Sequence, residues 1–329
     1  MNHTIQMKSI VPTLFNSPTG RPENISAGTT GVVGIPSDWT HTSRIGTRFG
    51  PRALRQSTTE LLQFLLNDSN SEFVDPNNND ILQYRLDEWL VDCGDAVISP
   101  TSVEKTTEAI ASMTYAIRSR GAFPLALGGD HYNSYPACLG YARGLDERHP
   151  GRSFGYIHID GHLDFSDRLG AWGKYNHATN ARRISELPNI VKSNMVWIGI
   201  TGWVDSGELE LIESMGGKIF SSKDVHRLGA KKVAQLALQH ATRGSESLYV
   251  TIDIDAMDAG FLPGTGSIVH SGITPRQYCQ ILDVLSTAPI DGLDIVEVSP
   301  PLDPSGRTER IAAHLLFHIL RNRMFTTKI

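Results

Sequence analysis

The chain has 329 residues, 40% hydrophobic and 20% charged, which is the composition of an ordinary soluble globular protein. Its formal net charge of −5 and sequence pI near 6.2 offer no electrostatic basis for binding nucleic acid or an anionic membrane. No apolar run approaches the roughly 18 residues that a membrane-spanning helix needs, and the first residues lack the apolar core of a signal peptide. Cys93, Cys138 and Cys279 show neither a pairing signature nor metal spacing, so we expect a cytoplasmic protein.

Apolar, β-rich runs recur along the chain, and their near-continuous apolar character predicts strands that are covered on both faces. The runs start at Gly31, Trp89, Pro124, Phe154, Met195, Ser247 and Gly292.

Helical spacing of apolar residues appears between several of these runs. It predicts helices around residues 103–117, 233–241 and 311–319, and a further helix that Thr274 caps and Pro275 begins. Alternating strands and helices predict an α/β fold with a mainly parallel sheet. No linker divides the chain, and the polar stretch from Leu66 to Asp80 is predicted to be a surface excursion.

Acidic and histidine side chains follow four of the predicted strands, where α/β proteins place their ligands. In HIDGHLDF, residues 158–165, Asp160, His162 and Asp164 stand two apart. Side chains with this spacing share a face of an extended segment, so we expect them to converge, as we do Asp253 and Asp255.

Buried carboxylates that converge repel one another unless a cation neutralises them. With His131 from GGDH, the candidate ligands are two histidines and four aspartates. Four carboxylates formally balance two divalent cations, and mixed imidazole and carboxylate ligands favour Mn²⁺, Fe²⁺, Ni²⁺ or Zn²⁺ over Ca²⁺ or Mg²⁺. A bridging hydroxide would leave the cluster with a formal charge of −1, and this charge, with Glu297 nearby, favours a cationic substrate.

Structural explanations exist for each motif alone. An Asp-x-Asp pair at a strand end often caps a helix or turn, and GGDH could be a tight turn in which Asp130 is the cap. The three motifs together, each after a strand, favour a metal centre.

The same motifs resemble those of the ureohydrolase family, which includes arginases and agmatinases. They are GGDH (128–131), DGHLD (160–164), DIDAMDAGFLPGTG (253–266) and EVSPPLD (297–303). SRIGTRFGPRALR (43–55) and KYNHATNARR (174–183) resemble the agmatinase branch. The resemblance covers about residues 30 to 325. It implies a single three-layer α/β/α sandwich in residues 30–329 after an N-terminal extension, 1–29, and a homo-oligomer, trimeric or hexameric.

The resemblance also implies roles for particular residues. Glu297 would hold the guanidinium group, Asp164 would align the nucleophile, and His177 would carry protons unless it is an ordinary loop histidine. His158 matches no ligand position and is expected to pack beside the ligands. The implied cofactors are two divalent cations, Mn²⁺ first and Ni²⁺ as the alternative, held by His131, Asp160, His162, Asp164, Asp253 and Asp255.

Three departures from the family pattern put the substrate in doubt. Gly161 replaces the usual alanine, Ala259 a frequent proline, and Thr201 an arginine common in agmatinases. The segment after Asp164 does not match the one with which arginases hold the α-amino acid end of arginine, so arginine is not expected.

The predicted reaction is hydrolysis of a guanidino C–N bond, giving urea or a substituted urea and an amine or ammonia. Agmatine, guanidino acids, guanidine and alkylguanidines stay open as substrates. A guanidino acid would need a cation from among Arg44, Arg48, Arg182 and Arg183. Trp172 and Trp203 would lie near the mouth of the site, as pocket or packing aromatics.

Two other functions are considered. The chain could be a metal-binding but inactive partner in a hetero-oligomer, although such a subunit would not need the complete ligand set. A dinuclear phosphoesterase is less favoured, because the anionic cluster and Glu297 would repel phosphate.

Overall fold

The computed structural model describes residues 12–65, 72–75, 80–85 and 89–327. The strands of these residues are β1 (Thr30–Gly34), β2 (Glu72–Asp75), β3 (Asp80–Tyr84), β4 (Leu90–Asp95), β5 (Phe123–Leu127), β6 (Phe154–Ile159), β7 (Ile190–Ile200), β8 (Lys218–Ser221), β9 (Leu248–Asp253), β10 (Ile290–Val296) and β11 (Phe325–Thr327). Their α-helices are α1 (Gly50–Leu65), α2 (Val103–Ser119), α3 (Ser134–Arg148), α4 (Asn180–Ile184), α5 (Ser206–Ser214), α6 (Ser222–Leu228), α7 (Ala230–Ala241), α8 (Pro275–Leu285) and α9 (Arg307–Met324).

One large sheet contains eight of the described strands in the order β4-β1-β5-β10-β9-β6-β7-β8. Every neighbouring pair in it runs parallel. All seven predicted strands lie in this sheet, which confirms the α/β class. The eighth strand of this sheet, β8, was not predicted from the sequence.

Helices cover both faces of the sheet. Successive side chains of a strand point to opposite faces, so neighbouring residues pack against different helices. Val32 packs in the core cluster that includes Leu54 of α1 and Leu316 of α9, together with residues of α7 and α8. Val33 packs instead with Ile110 and other residues of α2. The three-layer sandwich is thereby confirmed.

The four predicted helices correspond to α2, α7, α8 and α9. Thr274 is the N-cap of α8, as predicted: its hydroxyl accepts the Gln277 amide at 3.3 Å, and the Gln277 side chain accepts the Thr274 amide at 2.9 Å. No helix in the described part of the chain is long and apolar enough to cross a lipid bilayer.

A small antiparallel sheet, β11-β3-β2, was not predicted. Strand β2 and the start of β3 fall in the polar stretch 66–80, and the rest of that stretch lies outside the described residues. Phe325 of β11 packs edge-on against Phe73 and Tyr84, with ring centroids 5.8 Å apart in both pairs. The sequence does not predict these strands because they are short and surrounded by turn-forming residues.

The strands that carry the polar motifs are neighbours at the centre of the large sheet. In spatial order they are β5, β10, β9 and β6, which precede GGDH, Glu297, Asp255 and DGHLD respectively. Because parallel strands end at the same edge, this order brings the four segments together.

Candidate active site

Three buried carboxylates meet around one nitrogen of a buried imidazole. The Nδ1 atom of His131 lies 3.0 Å from Oδ2 of Asp160, 3.0 Å from Oδ2 of Asp164 and 2.9 Å from Oδ2 of Asp253. Each of the four residues is at most 8% exposed. Side chains from the ends of β5, β6 and β9 therefore converge on one point.

A second group shares Asp160 with the first. Nδ1 of His162 lies 3.4 Å from Oδ1 of Asp160 and 3.3 Å from Oδ2 of Asp255. Asp160 thus directs one oxygen to each group. All six residues predicted as ligands from the sequence come together in two adjoining groups with two nitrogen and four carboxylate donors.

The arrangement fits divalent cations better than it fits a hydrogen-bonded cluster. One N–H on His131 can satisfy at most one of the three oxygens around it, and neither His131 Nδ1 nor Asp160 Oδ2 makes an aligned hydrogen bond. Burial, then the neighbouring carboxylate charges, raise the pKa of Asp253 well above its usual range. Burial above all, with the charge of Asp160, raises the pKa of Asp255 to about 7. Cations at the two points would relieve both conflicts.

The reason predicted for this convergence is wrong, because residues 160–164 do not extend the strand. Strand β6 ends at Ile159, and the Oδ1 atom of Asp160 accepts the His162 amide at 2.6 Å in a tight turn. Asp164 has a left-handed backbone, with φ 49°. Its Oδ2 atom accepts a 2.7 Å hydrogen bond from the Asn180 side chain, which fixes the unusual conformation from α4.

The pair after β9 is also held by a turn. Asp253 ends the strand and accepts the Asp255 amide at 2.8 Å through Oδ1, so it caps the 3-10 helix Ile254–Ala256. A capping aspartate and a converging carboxylate are here the same residue.

Asp130 occupies the N-cap position of the 3-10 helix His131–Asn133, but its side chain makes no capping hydrogen bond there. Its carboxylate accepts the Thr40 amide at 3.0 Å and the Thr40 hydroxyl at 2.7 Å. Burial, with the charge of Glu297, raises the pKa of Asp130 to about 7. The residue ties the loop after β1 to the centre of the site.

Glu297 lies beside the first group with both carboxylate oxygens engaged. Oε1 accepts the His131 amide at 2.8 Å, and Oε2 lies 3.2 Å from Nε2 of His41. Burial raises the pKa of Glu297, but the neighbouring His41 outweighs it and holds that pKa below its usual range. His41 was not identified from the sequence. The available signal was its position two residues before the SRIGTRFGPRALR segment.

His177 stands next to Glu297, where a proton carrier is expected. Its ring stacks on His41, with centroids 4.4 Å apart and planes 11° from parallel. Its Nε2 atom lies 2.7 Å from the Thr42 hydroxyl. Burial, as the main cause, lowers the pKa of His177, so the ring is neutral at neutral pH.

His158 packs beside the ligands, as expected. Its Nε2 atom lies 2.7 Å from Oδ2 of Asp160, and Nδ1 lies 3.1 Å from the Tyr156 hydroxyl. Its ring stacks on His131 with centroids 4.7 Å apart. The residue supports Asp160 from the sheet side.

A pocket of about 200 Å³ opens onto the second group. Trp203 lies at its rim and is fully exposed, whereas Trp172 is half exposed and does not line it. The lining residues are Gly161, His162, Leu163, Asp164, Ser166, His177, Ala178, Thr201, Trp203, Val204, Asp205, Glu208 and Ser267.

None of the four arginines considered for a substrate carboxylate lines this pocket. Arg48 pairs with Asp38 at 2.5 Å, and Arg44 donates to the Thr265 carbonyl at 3.1 Å. Arg183 pairs with Asp167 at 2.8 Å, and Arg182 lies 3.4 Å from Glu186.

Comparison with known proteins agrees with this geometry. The sequence profile of the arginase family matches residues 29–321. The chain belongs to the arginase family. Among its relatives, a guanidinopropionase of Pseudomonas aeruginosa is 31% identical over 88% of this chain and 85% of its own length. An agmatinase of Chromobacterium violaceum is 31% identical over 89% of this chain and 84% of its own length.

A solved structure, a hypothetical agmatinase from Burkholderia thailandensis, superposes with a TM-score of 0.78 at 28% identity and covers 96% of this chain and 91% of that one. Membership of this family identifies the chain as an amidinohydrolase. The boundary between the extension 1–29 and the catalytic domain stays a prediction.

Two of the three departures from the family pattern meet at one residue. A Cβ atom on Gly161 would lie 2.6 Å from Cγ1 of Val269. The Ala259 amide donates to the Val269 carbonyl at 3.0 Å, which a proline could not do. The third departure, Thr201, lines the pocket and donates its hydroxyl to the Gly199 carbonyl at 2.8 Å.

Proposed function

We propose that this protein hydrolyses the guanidino C–N bond of a small compound without a carboxylate, releasing urea and an amine or ammonia. Two divalent cations would be held by His131, Asp160, His162, Asp164, Asp253 and Asp255. The observation that carries the proposal is the convergence of these six side chains beside the buried carboxylate of Glu297.

The cations, when bound, supply the Lewis acidity that makes water nucleophilic near neutral pH. Side chains of the protein bind the substrate and transfer the protons. Glu297 accepts N–H bonds from the planar guanidinium group, for which a carboxylate is the matching partner. Asp164, oriented by Asn180, takes the proton of the attacking water. The departing amine needs a proton, which Asp164 returns directly or passes on through the neutral His177 ring.

The pocket supports a substrate whose tail is neutral or cationic. No lysine or arginine is among its lining residues in the described part of the chain, while Asp205 and Glu208 are. Glu208 accepts a hydrogen bond from the Ser166 hydroxyl, and burial raises the pKa of this carboxyl. A carboxylate tail would meet these two acids without a counter-cation. Agmatine and alkylguanidines therefore fit better than guanidino acids, even though one relative is a guanidinopropionase.

The donor set supports a first-row transition metal, with Mn²⁺ as the first candidate and Ni²⁺ as the second. We further propose a cytoplasmic homo-oligomer, trimeric or hexameric. These points go beyond what the family membership by itself establishes.

A urea-release screen tests the proposal. The purified chain, loaded separately with Mn²⁺, Ni²⁺ or Zn²⁺, is given guanidine and three compounds of matched length: agmatine, butylguanidine and 4-guanidinobutyrate. We expect turnover of agmatine or butylguanidine, with a kcat/KM for 4-guanidinobutyrate lower by about tenfold or more, because one unfavourable contact between partly buried charges costs on the order of 1–2 kcal/mol.

Faster turnover of 4-guanidinobutyrate would overturn the substrate class. No urea from any compound with any metal would overturn the proposed activity and favour the inactive partner subunit.

A further inference from the structure

We infer that His41 is a positioning residue of the guanidinium site, where its Nε2–H group holds the Glu297 carboxylate. This rests on the proposed function, since Glu297 is the group proposed to bind the guanidinium. None of the sequence motifs described above assigns a role to residue 41.

The contact between the two side chains is buried and exclusive. Nε2 of His41 lies 3.2 Å from Oε2 of Glu297, and the side chains are 0% and 3% exposed. Among the described residues neither atom makes an aligned hydrogen bond, either to the other or to a third group. The 3.2 Å approach is therefore the polar contact that compensates the burial of both atoms in this part of the chain.

The orientation of the His41 ring is set from its other side. Nδ1 accepts the Ser43 amide at 3.0 Å, so the proton of the neutral ring lies on Nε2. A protonated ring would also carry an Nε2–H. In either charge state, His41 presents a donor to Glu297.

The surrounding residues leave little freedom for this ring. One face stacks on His177. A Cβ atom on Gly266 would lie 2.3 Å from Nε2 and 2.4 Å from Cε1 of His41, so the backbone approaches as closely as only glycine permits. The close fit places His41 within the architecture of the site.

The consequence for Glu297 follows from its surroundings. Its Oε1 atom is held by the His131 amide, and its backbone is left-handed, with φ 66°. Its Oε2 atom faces the His41 ring, with His177 stacked on one face of that ring. Without His41, this buried oxygen loses its polar neighbour, and the carboxylate turns away from its present orientation. This change weakens guanidinium binding.

The experiment compares H41Q, which keeps an N–H donor at similar reach, with H41L, which removes it. H41N, whose amide is too short to reach Glu297, is the second deletion if H41L does not fold. Metal content is measured for every variant and is expected to match the wild type, because His41 belongs to neither ligand group. We expect H41L or H41N to raise KM for the best guanidino substrate by about tenfold or more, the loss expected for one buried polar contact to a charged group, and H41Q to recover most of it.

A second readout uses the metal-free protein. With ¹⁵N-labelled histidine, NMR should show His41 with its proton on Nε2, and this signal should shift on titration with millimolar guanidinium chloride in the wild type but not in E297Q. Wild-type kinetic constants in H41L and H41N, or a His41 signal insensitive to guanidinium, would overturn the inference. If the wild type releases no urea, the proposed function fails, and the NMR result still decides the role of His41.

Discussion

The Cγ1 atom of Val269 lies 2.6 Å from the position that a Cβ atom on Gly161 would take. Gly161 stands between two of the proposed ligands, and Val269 occupies the space that an alanine side chain at this position would take. The amide of Ala259 holds the Val269 carbonyl at 3.0 Å. Two departures from the family pattern are thus one local repacking.

Restoring the family's alanine should therefore be harmful in this chain. We expect Gly161→Ala to lower the free energy of unfolding by about 1–3 kcal/mol, the usual effect of overpacking a buried site. The double variant G161A/V269A should recover most of the loss, because the second change opens the space. Urea unfolding of the two single variants and the double variant gives the coupling energy. Independent, additive effects would show that Val269 is not the obstacle.

Asp160 is the residue whose loss should affect both proposed cations, because each of its oxygens faces a different group. We expect Asp160→Asn to reduce the bound metal from two ions per chain to one or none and to abolish urea release. The increase in Tm that Mn²⁺ gives the wild type should shrink accordingly. Metal analysis and thermal unfolding measure this. Asp146→Asn, an exposed change far from the site, is the control and should retain both ions. Full metal content in D160N would contradict the ligand assignment.

Glu208 should govern the preference for the substrate tail. We expect Glu208→Gln to lower kcat/KM for agmatine relative to butylguanidine by roughly three- to tenfold, since a partly exposed charge pair contributes about 1 kcal/mol. Glu208→Lys should shift the preference towards 4-guanidinobutyrate. Glu210→Gln, an exposed change on the same helix, is the matched control. An unchanged ratio in E208Q and E208K would remove Glu208 from substrate selection.

His318, which belongs to neither candidate ligand group, makes stability depend on pH. Burial lowers the pKa of His318, but its 2.6 Å contact with Asp283 and its hydrogen bond with Cys279 outweigh this and raise it to about 10. Because the folded-state pKa lies above the unfolded value of about 6.5, the stabilisation is complete below pH 6.5 and is lost as the pH rises to about 10. The side chain is 29% exposed, so we expect only on the order of 1 kcal/mol.

Urea unfolding at pH 6.5, 8 and 9.5 tests this. The wild type should exceed His318→Asn in stability at the lowest pH, and the difference should narrow at the highest. His270→Asn, at an exposed histidine, should show no such trend. A difference that widens with pH would refute the sign of the effect.

The sequence was sufficient where a property depends on nearby residues. Apolar runs such as FGYIHI identified the strands of the large sheet, because a strand covered on both faces must be apolar throughout. The acidic and histidine residues directly after those runs identified the candidate site, because parallel strands deliver their carboxyl ends to one edge. The capping of α8 by Thr274 was also predictable, because it depends only on residues within one turn of the helix start.

Tertiary structure decided the rest. Strands β5 and β6 reach the same site only because β10 and β9 lie between them, and such pairings between distant segments are not encoded in a strand's own residues. The left-handed turn at Asp164 depends on Asn180, and the contact of His41 with Glu297 depends on the loop after β1 folding over the end of β10. Sequence by itself identified the candidate ligand side chains, whereas packing between distant segments decided how they meet and which further residues join them.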